Sequence, residues 1–199
     1  MGRRLGVMGG TFDPVHHGHL TTAEEAQTQF VLDQVVFVPT GRPWMKERTD
    51  VSDPEHRYLM TVIATASNPR FAVSRIEIDR EGPTYTVDTL RALAEQESDA
   101  ELFFITGADA MLEILHFWKD PNEILDLAHF IAATRPGYDI AAFEAEAPTR
   151  NPHVSVMNIP ALAISSTDIR ARVREGRPIR YLVPEGVKSY VEKTGLYRG

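Results

Sequence analysis

Six short runs of residues recur along the chain, separated by stretches with helical spacing. They span residues 5–8, 34–39 (QVVFVP), 71–79 (FAVSRIEID), 101–106 (ELFFIT), 129–134 (HFIAAT) and 154–159 (VSVMNI). Several are apolar throughout, the pattern of strands covered on both faces, whereas 71–79 alternates at its polar end. Helices are predicted over 18–32, 53–67, 86–97, 110–115, 121–127, 165–175 and 185–194. The second carries a stripe of Tyr58, Leu59, Val62, Ile63 and Ala66, and the third carries Val87, Leu90, Leu93 and Ala94. Gly176 and Gly195 are stop signals for the last two. Strand–helix alternation of this kind predicts an α/β, doubly wound, mostly parallel sheet with helices on both faces and a small C-terminal helical extension. A chain of 199 residues suits one domain over 1–199, with 165–199 as its helical subregion. Residues 40–53 and 138–152 lack clear periodicity and read as loops.

In an open α/β sheet, ligands sit outside the carboxyl ends of the strands, so candidate residues should follow strands directly. Composition narrows the ligand. Cysteine is absent, which excludes disulfides, thiolate metal sites and a thiol nucleophile. The net charge of −7 argues against a nucleic-acid partner. Residues 150–199 nevertheless carry nine Lys/Arg against four acids, a basic end on an acidic body. Such an end suits an anionic small molecule, though a solvated charged helix reads the same way. No apolar run is long enough to span a membrane or to form a signal peptide, and the start lacks the myristoylation pattern, so a cytoplasmic protein is expected.

The first strand leads into Gly9-Gly10-Thr11-Phe12-Asp13-Pro14-Val15-His16-His17-Gly18-His19. Two glycines allow close backbone approach to a ligand, and a helix N-terminus follows, which together suit an anion. His16 and His19 lie three apart and share a helix face, so both imidazoles could reach one phosphate. Gly18 between them leaves room for a flat group. Zinc is the other reading of the pair, but the i, i+4 spacing with a central Glu is missing and no third ligand is marked. Neither GxGxxG nor GxxxxGK[ST] occurs. In the second loop, Ile164-Ser165-Ser166-Thr167-Asp168-Ile169-Arg170 opens a helix, and residues of these types there ordinarily act as caps.

The first loop closely resembles the N-terminal signature of the (H/T)xGH nucleotidyltransferase superfamily, whose fold is Rossmann-like. In its long form, GGTFDPxHxGH, it is similar to the nicotinate-nucleotide adenylyltransferase family. Ile164–Arg170 resembles that family's second signature, which holds the ATP β- and γ-phosphates. Gly82-Pro83-Thr84-Tyr85-Thr86-Val87-Asp88-Thr89-Leu90 resembles its GPSYTxDTL segment, and Gly107-Ala108-Asp109 its ribose-contacting G-x-D. Trp118 stands where an aromatic stacks on the pyridine ring, and Arg135-Pro136-Gly137-Tyr138 resembles a segment near adenine. Pro43-Trp44-Met45-Lys46 and His56-Arg57-Tyr58-Leu59-Met60 resemble the P-x-x-K loop and the H-R-x-x-M helix. Val15 stands where the family often has Pro, and Met45 where the loop usually has His.

The resemblance implies transfer of AMP from ATP to nicotinate mononucleotide, giving nicotinate adenine dinucleotide and pyrophosphate. It assigns catalysis to His16, His19, Lys46 and Arg170. ATP would be bound by Gly9, Gly10, Thr11, Phe12, His16, Gly18, His19, Gly107, Asp109, Arg135, Ile164, Ser165, Ser166, Thr167 and Arg170. The acceptor would be bound by Thr11, Lys46, Thr84, Tyr85, Thr86 and Trp118. No Asp/Glu cluster marks a protein-held metal, so Mg2+ is expected to arrive on ATP. The partners are then ATP and the mononucleotide, with no nucleic acid or membrane, and with a homo-oligomer open. Competing readings are a relative that uses phosphopantetheine or nicotinamide mononucleotide, a non-catalytic nucleotide sensor, and a synthetase fragment. The GPTYT segment and Trp118 speak against the first, and the intact His16, His19 and Arg170 against the second. The third lacks length, a basic surface and a KMSKS-like loop.

Overall fold

The computed structural model describes residues 2–42, 51–108, 110–111, 118–134, 153–160 and 162–198. Among these, six strands form a single sheet: β1 (Arg3–Gly10), β2 (Gln34–Pro39), β3 (Phe71–Val73), β4 (Ala100–Gly107), β5 (His129–Thr134) and β6 (Val154–Asn158). Their order is β3-β2-β1-β4-β5-β6, and every pairing is parallel. The chain moves outward from β1 to β3, then jumps back across β1 to β4 and moves outward the other way. The point of reversal lies between the carboxyl ends of β1 and β4, where an open sheet binds its ligand.

Helices α1 (His17–Gln29) and α2 (Pro54–Thr65) connect the first three strands, and α3 (Thr86–Gln96) makes the return crossover. Then follow α4 (Pro121–Leu127), α5 (Ser166–Arg174) and α6 (Glu185–Thr194). Right-handed crossovers running in opposite directions put their helices on opposite faces. The alternation of side chains along each strand fills two cores accordingly. Met8, Phe37, Phe103, Ile105 and Ile131 pack with Ala23, Met60, Ile169 and Val187 from α1, α2, α5 and α6. Leu5, Val7, Val38, Phe104 and Phe130 pack with Leu90, Leu93 and Ile124 from α3 and α4. Each large side chain so buried contributes roughly 1.5–3 kcal/mol.

Helix ends follow local chemistry. Asp53 caps α2, its side chain accepting from the Glu55 N–H at 2.8 Å, with Pro54 in the first turn. Gly176 and Gly195 adopt φ of +67° and +72°, as the stop signals predicted. Helix α1 ends at Gln29 rather than residue 32, because the buried Gln27 amide donates to Leu32 C=O at 2.8 Å and the chain turns at Val31 with φ of +52°. The predicted strand over 71–79 stops at Val73. Beyond it, Asp79 N–H bonds Arg75 C=O at 2.9 Å, forming one helical turn, and Glu77 turns inward instead of toward solvent. Of the helix expected over 110–115, residues 110 and 111 are helical and 112–117 lie outside the described residues; 138–152 lie outside as well. No described helix is long and apolar enough to cross a membrane.

Candidate active site

The β1–α1 loop is pinned at three carbonyls, one by α2 and two by α5. The Thr11 carbonyl accepts from Arg57 Nη1 at 2.8 Å, the Asp13 carbonyl from Arg170 Nη1 at 2.7 Å, and the Pro14 carbonyl from Ser166 Oγ at 2.9 Å. In a trans peptide the N–H of the next residue points the opposite way, so the Phe12 and Val15 amides face away from Arg57 and Ser166. Phe12 holds φ of +50°, a left-handed conformation that only a fixed loop sustains in a bulky residue. Gly10 precedes it because a Cβ there would lie 2.8 Å from the Phe12 ring.

His16 is the N-cap residue of α1, and His19 sits three residues on. Their rings stack at 3.7 Å with 22° between planes, and the Phe12 ring meets His19 edge-on at 5.0 Å. The His16 backbone N–H donates to His19 Nδ1 at 3.2 Å. A ring nitrogen that accepts carries no proton, so the proton of neutral His19 is on Nε2. Desolvation, and secondarily His16, hold the His19 imidazole well below the usual histidine range. His19 is therefore a neutral Nε2–H donor at pH 7. Gly18 serves this packing directly, because a Cβ there would sit 3.0 Å from His16 Nδ1 and Cε1.

Three cavities meet around the carboxyl end of β1. A polar cavity of about 400 Å³ is lined by Thr11, Phe12, Asp13, His19, Val51, Ser166, Thr167 and Arg170. A second, of about 420 Å³, runs over β4 and β5, with Gly9, His16, Gly18, His19, Gly107, Ile164 and Ser165 among its walls. A third, of about 230 Å³ and largely apolar, is lined by Val7, Val38, Phe104, Glu77, Thr84, Thr86, Thr89 and Trp118, with Gly9, Gly10 and Thr11 at its edge. His19 stands where the first two join, and Thr11 where the first and third join. An anion spanning the two polar chambers would pass beside His19, and a second ligand in the apolar cavity would approach it past Thr11.

The sequence pattern of the cytidylyltransferase-like family matches residues 7–172. A "Probable nicotinate-nucleotide adenylyltransferase" of Arthrobacter sp. (strain FB24) is 60% identical over 192 residues, which is 96% of this chain and 90% of that protein. The protein of the same name from Streptomyces coelicolor is also 60% identical, over 96% of this chain and 100% of its own. The chain belongs to the nicotinate-nucleotide adenylyltransferase family. In fold it resembles the Plasmodium falciparum nicotinic acid mononucleotide adenylyltransferase complexed with NaAD, with a TM-score of 0.82, 20% identity, and 98% and 97% of the two chains covered.

Against the family's pattern, the described residues fall into place unevenly. Gly9, Gly10, Thr11, Phe12, His16, Gly18, His19, Gly107, Ile164, Ser165, Ser166, Thr167 and Arg170 all line the cleft. Thr84, Thr86 and Trp118 line the apolar cavity, and Trp118 Nε1 is buried with no partner among the described residues. Tyr85 does not line it. It is the N-cap residue of α3, and its ring lies 5.1 Å from Lys119 Nζ. Ser165 Oγ caps α5 by accepting from Asp168 N–H at 3.1 Å, the ordinary reading of such a residue. The Asp88 side chain pairs with Arg91 at 2.9 Å and Lys119 at 3.6 Å. Lys46, Asp109 and Arg135 lie outside the described residues.

Several participants escape a motif reading. Arg57, only 1% exposed, bonds the carbonyls of Thr11, Gly41 and Ser52 with its whole guanidinium fork. It stands in the quoted H-R-x-x-M segment, but nothing in the sequence shows what the Arg grips. Glu77, 7% exposed, accepts from Thr89 Oγ1 at 2.8 Å at the wall of the apolar cavity. Burial pushes its carboxyl above the usual range against the pull of Thr89, Thr84, Arg80 and the Gly41 amide.

Proposed function

We propose that the protein transfers AMP from ATP to nicotinate mononucleotide, releasing pyrophosphate and forming nicotinate adenine dinucleotide. The observation that carries this reading is His19 at the junction of the polar chambers, held as a neutral Nε2–H donor. The 5′-phosphate of the mononucleotide is ionised at pH 7 and attacks the α-phosphorus without a general base. The protein's task is then to align two anions and stabilise charge on the α-phosphoryl oxygens.

In this assignment ATP occupies the two polar chambers and the nicotinate ring the apolar one. His19 donates to the α-phosphoryl oxygen. Thr11 and the loop amides hold phosphate, while Ser166, Thr167 and the remaining N–H groups of Arg170 receive the leaving pyrophosphate. Trp118 contributes its ring and its orphan N–H to the acceptor, with Thr84 and Thr86 beside it. Lys46 adds charge, and Asp109 and Arg135 hold the adenosine, by resemblance to the family. The His, Asp and Glu residues described here do not gather in any group of three able to cage a metal ion. Mg2+ is assigned to ATP oxygens and water by resemblance to the family, where it would neutralise phosphate charge. The setting proposed is cytoplasmic.

Product identification decides the reading. The purified protein is incubated with ATP and, separately, nicotinate mononucleotide, nicotinamide mononucleotide and phosphopantetheine. Nicotinate adenine dinucleotide with equimolar pyrophosphate is expected, and faster transfer to another acceptor would overturn the reading.

A further inference from the structure

The buried Asp13 joins three segments far apart in sequence. Its side chain is almost wholly enclosed, at 2% exposure, yet the residue lines the polar chamber. One carboxylate oxygen accepts from Tyr197 Oη at 2.6 Å, across 184 positions of chain, and the other accepts from Ser52 N–H at 3.1 Å. Its own carbonyl is the one that Arg170 grips. A carboxylate beside a triphosphate site is a liability, because like charges repel strongly where water is scarce. Here both oxygens are engaged by protein donors and the side chain is enclosed.

We propose that Tyr197 is a positioning residue for the phosphate loop: its hydroxyl holds the Asp13 carboxylate turned away from the ATP phosphates. This rests on the assignment of ATP to the polar chambers. The geometry supplies what the role requires. Tyr197 reaches Asp13 from beyond α6, where Gly195 with φ of +72° ends the helix and Tyr197 itself adopts φ of +67°. The Tyr197 side chain packs against the core cluster that includes Phe12 and Val15, which restrains the ring that carries the hydroxyl. Burial and the adjacent carboxylate push the phenol above its usual range, so it remains a donor throughout the working pH range. Ser52 ties the start of α2 to the same carboxylate.

Tyr197→Phe removes one oxygen and leaves the ring. A lost bond to a charged group, with a buried carboxylate oxygen released, is expected to lower kcat/KM for ATP by about tenfold to hundredfold. KM for the mononucleotide should stay within twofold. Tyr190→Phe is the comparator, since that hydroxyl bonds His56 Nδ1 at 2.8 Å and not the Asp13 carboxylate. It should alter melting temperature without touching either KM. Combining Tyr197→Phe with Asp13→Asn should cost no more than Asp13→Asn alone. A Tyr197→Phe enzyme that melts lower but keeps its KM for ATP, or loses both substrates equally, would overturn the proposal. ATP binding by calorimetry gives a readout without turnover. If the wild type binds ATP but makes no dinucleotide, adenylyl transfer fails while the Tyr197 effect on ATP binding is still measured.

Discussion

On the side of the cleft proposed for ATP, three loop carbonyls are each held by a side chain from beyond the loop: Thr11 by Arg57, Asp13 by Arg170, and Pro14 by Ser166. On the side proposed for the mononucleotide, the walls are Val7, Val38 and Phe104, strand residues that would be buried in any such sheet, with Glu77, Trp118 and the hydroxyls of Thr84, Thr86 and Thr89 among the polar intrusions. One half is a loop made rigid by long-range hydrogen bonds. The other is a gap in a packed core. Electrostatic catalysis needs donors that do not reorganise, and the first half provides them. Discrimination between ring substituents needs few, well-placed polar groups in a dry pocket, and the second half provides those. Damage to the first should reach stability, kcat and ATP affinity; damage to the second should reach acceptor affinity.

The hardest test of this contrast is Arg57. Its removal would leave the Thr11, Gly41 and Ser52 carbonyls without their donor in a buried place. Loss of a buried charged partner of this kind costs about 3–5 kcal/mol. Arg57→Ala should therefore lower the melting temperature by roughly 6–20 °C, at about 2–4 °C per kcal/mol for a chain of this size. Arg57→Lys should restore only part, because an ammonium cannot reproduce the fork. If Arg57→Ala melts like the wild type, the loop is rigid for some other reason.

His19→Ala comes next. Loss of one preorganised donor costs roughly 3–4 kcal/mol, or about 100- to 1000-fold in kcat, with KM for ATP little changed. On the mononucleotide side, Trp118→Phe keeps the ring and removes the buried N–H. An unpaired partner costs about 1–3 kcal/mol, so KM for nicotinate mononucleotide should rise by about tenfold while kcat holds. A kcat effect from Trp118→Phe, or a pure KM effect from His19→Ala, would erase the division between the two halves.

The two sides also carry desolvated titratable groups of opposite sense. His19 is held below its ordinary range, so between about 6.5 and its folded value the unfolded chain binds a proton that the folded chain does not. Stability from this group is present above about pH 6.5 and declines as pH falls below it. Glu77 is held above its ordinary range, so its contribution is greatest in acid and declines as pH rises from about 4.5 through the folded value. Unfolding curves across pH 4.5–7.5 should show His19→Gln flattening the first trend and Glu77→Gln the second. Identical pH profiles for wild type and both variants would exclude the desolvation argument.

Much of the ATP side is legible in sequence because its chemistry is local. GGTFDPVHHGH puts glycines, a helix start and two imidazoles within one loop. The apolar strands likewise announce a sheet covered on both faces. What sequence does not display is contact across distance. Arg57, Asp13 and Tyr197 lie in three separate segments, and nothing in their spacing shows that they converge. Glu77 is hidden for a different reason. The alternation in FAVSRIEID suggests a strand whose charges face solvent, while the chain instead turns helically after Val73 and carries Glu77 inward. Local periodicity loses there to the packing of Thr84 and Thr89 over the cavity.

The smallest expected difference separates neighbours. Ser165 and Ser166 both belong to the second signature, and both border the polar chambers. Ser165 Oγ accepts from Asp168 N–H at 3.1 Å and so closes the first turn of α5. Ser166 Oγ donates to Pro14 C=O at 2.9 Å and so joins α5 to the phosphate loop. A lost cap of the first kind costs about 1 kcal/mol of helix stability. Ser165→Ala should lower the melting temperature by roughly 2–4 °C and leave both KM values in place. Ser166→Ala removes a bond worth a similar amount, about 0.5–1.5 kcal/mol, but removes it from the loop that faces the triphosphate. Its effect should appear in KM for ATP, roughly two- to tenfold, even where the melting shift equals that of Ser165→Ala. The measurement is a pair of melting curves and a pair of ATP titrations on the same preparations. Equal KM values for the two variants would mean that the Pro14 tie is one cap among others. A rise confined to Ser166→Ala would show that long-range hydrogen bonds, rather than helix stability in general, hold the phosphate loop.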